Sequence, residues 1–82
     1  MADNTEILAE LTEIIKEATA GDIHDEVTVE KSFSDDLGID SLTMVEIAVL
    51  TEHKLGVKIP DDELGNLQTV NDAVNYITAN SP

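Results

Sequence analysis

Between positions 4 and 19, the residues Ile7, Leu8, Leu11, Ile14, Ile15 and Ala18 recur at steps of three and four. That spacing gathers them into one apolar stripe and predicts a helix from about Asn4 to Thr19. Asp3 with Glu6 three residues on reads as a capping-box variant, and Ala20-Gly21-Asp22 supplies a stop. The stripe must be buried against other elements, so the remaining apolar pattern decides the fold class.

That pattern is helical again further along the chain. A second helix is expected from Ser41 to about Leu55, ended by Gly56. Ile59-Pro60-Asp61-Asp62-Glu63-Leu64 places proline at a first helical position with acids behind it, which suits one short turn before Gly65. Thr69 with Asp72 forms a second capping-box variant, opening a last helix that aligns Val70, Ala73, Val74 and Ile77. The tail Ala79-Asn80-Ser81-Pro82 should fray. The long connection from Gly21 to Asp40 contains Ile23, Val27, Val29, Phe33, Leu37 and Ile39, too many apolar residues for a free linker. It should lie pinned across the helices, with a short strand at Val27 to Val29 as the alternative. The expected fold is all-α: a single domain over residues 1–82, with three main helices, one short helix and a long ordered loop between the first two.

The second helix carries two apolar faces. At about 100° per residue, Met44, Ile47, Ala48, Thr51 and Leu55 share one side and supply core. Leu42, Val45 and Val49 lie near the opposite side with Glu46 and His53, while Glu52 sits at the edge. Either the helix is central and buried all round, or this second side is an exposed docking stripe rimmed by carboxylates. Burying Glu46 and Glu52 without partners would be costly, which favours docking.

Charge narrows the choice of partner. Eighteen acidic residues stand against four lysines and no arginine, a formal net charge of −14. Nucleic acid and anionic membrane surfaces are poor partners for such a chain, and basic protein patches are good ones. Self-repulsion at this charge with only Phe33 and Tyr76 as aromatics could also produce disorder, but the regular apolar spacing opposes that. The polar, acidic start Met1 to Glu6 lacks the features of a signal peptide, and no segment is apolar enough to span a membrane. A cytoplasmic monomer is the expectation.

No familiar catalytic or metal constellation forms. His24 and His53 are far apart and lack cysteine or histidine neighbours at ligand spacing. Asp35, Asp36 and Asp40 miss the alternating order of a calcium loop and its terminal glutamate, so no specific metal site is expected. Asp61 and Asp62 are adjacent on a helix start and diverge in direction. Ser41 lacks a nearby base and the glycines of a nucleophile elbow, which excludes a hydrolytic serine. It does stand at a helix N-terminus, where backbone N–H groups and the helix dipole stabilise a phosphate. The chain has no cysteine, so any thiol chemistry must be imported.

The run Asp36-Leu37-Gly38-Ile39-Asp40-Ser41-Leu42, followed by Val45-Glu46 and later by Val57-Lys58-Ile59-Pro60-Asp61-Asp62-Glu63, resembles the acyl carrier proteins. The likeness is greatest to the discrete carriers of bacterial fatty-acid synthesis and covers nearly the whole chain. It implies a non-enzymatic carrier in which Ser41, flanked by Asp40 and Leu42, bears 4′-phosphopantetheine received from coenzyme A through a carrier-protein synthase. The arm's thiol would then carry acyl thioesters among acyltransferases, ketosynthases, reductases and a dehydratase. It also implies that partners dock on Leu42, Val45, Glu46, Val49 and Glu52. His53 and Thr43 stand where many relatives carry acids. Such carriers can shelter an acyl chain between their helices, for which Ile47, Leu50, Ile59, Leu64, Leu67, Val74 and Ile77 are lining candidates. The rival functions are a carrier for polyketide or other specialised synthesis, and an unmodified acidic adaptor that binds basic proteins.

Overall fold

A computed structural model describes residues 4–21 and 26–80. Four helices follow in order: α1 (Asn4–Ala18), α2 (Ser41–Leu55), α3 (Asp61–Leu64) and α4 (Val70–Asn80). This is the small helical bundle that the apolar spacing predicts. Asp3, Asp22, Ile23, His24, Ser81 and Pro82 lie outside the described residues, as do the capping and packing expectations attached to them. The expected fraying from Ala79 is not seen: α4 continues through Ala79 and Asn80, and the Asn80 side-chain amide donates to the Tyr76 carbonyl one turn back at 2.8 Å, which holds the last turn.

α1 buries Ile7, Leu11, Ile14 and Ile15, the inner part of its predicted stripe. It stops one residue before Thr19, where the chain turns through left-handed Ala20 and Gly21 and the Gly21 N–H donates back to the Lys16 carbonyl at 2.9 Å. That bond spans the last turn as in a Schellman closure. The side chains of Thr78 in α4 and Asn4 in α1 meet at 3.0 Å, so the end of α4 lies beside the start of α1 and the two run antiparallel.

The long loop is pinned, as its composition requires. Val27, Phe33, Leu37 and Ile39 are buried in the same core as the helices. The Val27 to Val29 stretch does not form a strand, and the described residues contain only an isolated bridge between Ser32 and Thr69. The backbone groups of the loop serve the start of α4 instead. The N–H groups of Val70 and Asn71 donate to the carbonyls of Lys31 and Val29 at 2.9 and 3.0 Å. Asp72 N–H donates to Thr69 Oγ at 3.2 Å, while Asp72 Oδ2 accepts from Thr69 N–H at 3.2 Å, completing the predicted capping box. The orphan donors at the N-terminus of α4 are therefore met by the loop and by its own box.

α2 ends at left-handed Gly56, whose N–H donates to the Glu52 carbonyl at 3.0 Å. Between α2 and α4, Val57, Ile59 and Leu67 are buried and hold the connection down on both sides of α3. α3 itself buries no residue. Pro60 precedes the first helical residue instead of occupying that position: it is the N-cap, with ψ 155°, and its carbonyl accepts from Glu63 and Leu64. An extended ψ is what a residue outside the first turn requires, so the helix begins at Asp61.

Candidate functional site

The segment leading to α2 is shaped by its own side chains. Ser32 Oγ accepts from the N–H groups of Asp35 and Asp36 at 3.2 and 3.1 Å, and Asp36 Oδ2 accepts from Ser32 N–H at 2.8 Å. Gly38 then takes φ 65°, a left-handed turn that favours glycine. Leu37 and Ile39 on either side of it are buried, and Ile39 N–H donates to the Phe33 carbonyl at 2.8 Å. Anchored on both flanks of the turn, the chain delivers Asp40 and Ser41 to the surface.

Asp40 is the N-cap of α2, with extended backbone. Its Oδ1 accepts from Thr43 N–H at 2.9 Å, and its carbonyl accepts from Met44 N–H at 3.0 Å. The Thr43 backbone donor, aided by the Thr43 side chain, holds the Asp40 carboxyl below the usual aspartate range. Ser41 follows as the first residue of α2 and is exposed. Asp36 is committed to its turn, and among the described residues no three histidine, cysteine, aspartate or glutamate side chains cluster as a metal would need.

The two faces of α2 separate as the docking alternative requires. Ile47, Ala48 and Thr51 are buried, whereas Leu42 is 80% exposed, Val45 46% and Val49 48%. Glu46 and Glu52 are exposed on the same helix, as is His53. The helix is not buried all round. An apolar stripe with carboxylates beside it begins one residue after Ser41.

Two grooves open at Ser41. One, of about 380 Å³ between α2 and α3, is walled by Met44, Val45, Leu64 and Gly65 with Asp61 at its edge. The other, of about 460 Å³, runs between the long loop and the start of α4. Of the lining candidates, Ile47, Ile59, Leu67, Val74 and Ile77 are buried core, while Leu50 and Leu64 are half-buried. Leu64 alone of these meets the α2–α3 groove beside Ser41. Met44 and Val45, assigned by helical angle to opposite sides, wall that groove together because α3 lies over the boundary between the two sides. Helical periodicity cannot reveal such a juxtaposition, since it depends on where a separate element packs.

Residues 6–77 match the family model described as "Phosphopantetheine attachment site". The chain is 63% identical over 76 residues to a meromycolate extension acyl carrier protein of Mycolicibacterium aurum, covering 93% of this chain and 77% of that one. It is 54% identical over 79 residues to an acyl carrier protein of Renibacterium salmoninarum, covering 96% of each. Among solved structures, the fold is similar to an acyl carrier protein of Thermotoga maritima, with a TM-score of 0.80 at 23% identity over 94% of this chain and 88% of that one. It is also similar to the acetyl actinorhodin acyl carrier protein of Streptomyces coelicolor, with a TM-score of 0.76 at 26% identity, covering 89% and 87%.

Proposed function

Because the chain belongs to the acyl carrier proteins, carriers rather than enzymes that bear phosphopantetheine, we propose that Ser41 is its attachment residue and that its cargo is the growing chain of fatty-acid synthesis. The observation that carries this reading is Ser41 itself: an exposed hydroxyl on the first residue of a 15-residue helix, with the Leu42, Val45 and Val49 stripe starting beside it.

The site fits the group. A phosphodiester on Ser41 Oγ would sit at the positive end of the α2 dipole. Asp40, although an anion next to it, is turned into the first turn of the helix by its bond from Thr43 N–H. When bound, the arm supplies the thiol that the cysteine-free chain lacks, and that thiol holds acyl groups as thioesters. Leu42, Val45 and Val49 would form the apolar anchor for a phosphopantetheinyl transferase and for acyl-processing enzymes, with Glu46 and Glu52 steering basic patches onto it. Met44, Val45 and Leu64 make the α2–α3 groove suited to an alkyl chain, and nothing polar but Ser41 and Asp61 borders it.

One relative supports lipid cargo: a carrier named for meromycolate extension at 63% identity, against 26% for the carrier named for actinorhodin. The test is mass spectrometry of the protein coexpressed with a phosphopantetheinyl transferase. One prosthetic group's mass is expected on the wild type and none on Ser41→Ala. An unmodified wild type, under conditions that load a known carrier, would leave the adaptor reading in its place. For cargo, the acyl species on protein isolated from its native cells should be fatty-acyl and 3-oxo or 3-hydroxy acyl thioesters. Poly-β-keto chains would overturn the lipid assignment.

A further inference from the structure

Leu42, Glu46, Val49 and His53 follow one another at steps of four, three and four, so they stack along one line of α2. All four are exposed, and His53 closes the line at the end far from Ser41. We propose that His53 belongs to the surface on which a basic partner docks, the transferase that loads Ser41, and that its proton sets how tightly that partner is held. This rests on Ser41 being the attachment residue and on α2 being the docking helix.

From Ser41 to Glu52 the helix has no basic residue, and Lys54, the next after His53, is tied to Glu17 of α1 at 3.2 Å. The exposed line of α2 therefore carries only carboxylate charge until His53 takes up a proton. The helices packed against α2 are α1 and α3. From α1, Glu17 meets Lys54, and Glu6 and Glu10 lie beside Lys54 and Leu55. From the α3 side, Lys58 and Asp61 share a groove with Glu52. Among the described residues, none of these forms an ion pair with His53. Glu52, its neighbour in sequence, lies about 100° away around the helix and does not shield it.

Histidine is the side chain that ordinarily changes its charge between about pH 5 and 8. Without the proton, the imidazole leaves Glu46 and Glu52 to attract a basic patch. With it, a cation stands about 10 Å along the axis from Glu46, inside the same footprint, and repels that patch. Ser41 is twelve residues back, about 18 Å along the axis. Protonation should therefore alter docking without touching the reacting hydroxyl.

The test follows loading by a phosphopantetheinyl transferase, read as mass gained, for wild type, His53→Gln and His53→Lys between about pH 5.5 and 8 at low salt, with circular dichroism to show all three folded. The wild-type KM divided by that of His53→Gln cancels the transferase's own titrations. This ratio should rise roughly threefold from the alkaline to the acidic end, the worth of one exposed charge contact, while the corresponding kcat ratio stays level. For His53→Lys the KM ratio should stay at the raised value throughout. A wild-type KM ratio that stays level, or that moves only together with kcat, would overturn the role of His53 while leaving the attachment reading intact. A wild type that gains no mass, under conditions that load a known carrier, would overturn the attachment reading and the role of His53 with it.

Discussion

Asp40 closes the first turn of α2 by accepting the Thr43 N–H at 2.9 Å, and Ser41 is the residue between its backbone and the rest of the helix. The cap thus sets the direction in which the serine leaves the loop. Hydrogen bonding to its charged form also depresses the carboxyl's pKa, with the Thr43 backbone the first cause and the Thr43 side chain the second.

Acidification should therefore remove a stabilising contribution that is specific to Asp40. A depressed folded-state pKa means that the unfolded chain binds the proton first, so the contribution is complete at neutral pH. It declines as pH falls below roughly 4, the ordinary aspartate range, and is lost once pH passes the lower folded value. Asp40→Asn keeps an N-cap acceptor but cannot titrate. Its melting temperature, measured between neutral and acidic pH, should fall less than that of the wild type. Parallel curves would show that the cap does not discriminate between the two protonation states.

Docking and stability should separate on the exposed side of α2. Glu46→Lys is expected to slow loading by a transferase roughly tenfold at low salt, through lost electrostatic steering, with the difference narrowing as salt rises. Val49→Ala, at a 48% exposed position, should change unfolding free energy by less than about 0.5 kcal/mol while weakening the same encounter. Loading kinetics beside urea titrations check both, and unchanged kinetics in both variants would move the docking face elsewhere.

Thr51 is the one polar residue wholly buried among the described residues, and its hydroxyl donates to the Ile47 carbonyl one turn back at 2.8 Å. Because that carbonyl belongs to the helix ladder in any case, Thr51→Val removes donor and desolvation cost together while keeping the shape. Urea unfolding should show a change within about 1 kcal/mol, in the stabilising direction. Thr51→Ser, which deletes a buried methyl, should instead cost about 1 kcal/mol.

Gly56 occupies the left-handed region at φ 71°, and a Cβ placed there would meet no atom within 4 Å. The penalty for Gly56→Ala is then conformational and not steric crowding, about 1 kcal/mol in chemical denaturation. A much larger loss would mean that the α2–α3 connection tolerates no adjustment of its path.

Much of the site was legible because it is local. The Gly56 stop and the Thr69–Asp72 box each join residues three or four apart, within reach of one helical turn; the helix start at Ser41 was read the same way, although the Asp40–Thr43 bond that caps it was not named. The opposed faces of α2 followed from periodicity, and the charge of Glu46 and Glu52 indicated which side stays in water. Pro60 was misplaced by one residue because proline is compatible with both the N-cap and the first turn, and only the observed ψ distinguishes them. The carboxylate-rich loop offered no cue that its carbonyls at Val29 and Lys31 would cap a helix some forty residues away.

By itself, then, the sequence determined that these helices form and roughly where, which stripe of each is apolar, and that a serine at the head of α2 stands beside an apolar edge rimmed by carboxylates. Tertiary structure decided what surrounds that serine. Met44 and Val45 became walls of one groove because α3 packs over their boundary, and the second groove exists because the loop is bonded to the start of α4. Helical spacing and capping are short-range physics written along the chain. Which distant carbonyl meets an orphan amide, and which apolar edge another element covers, is settled only when all the segments compete for the same core.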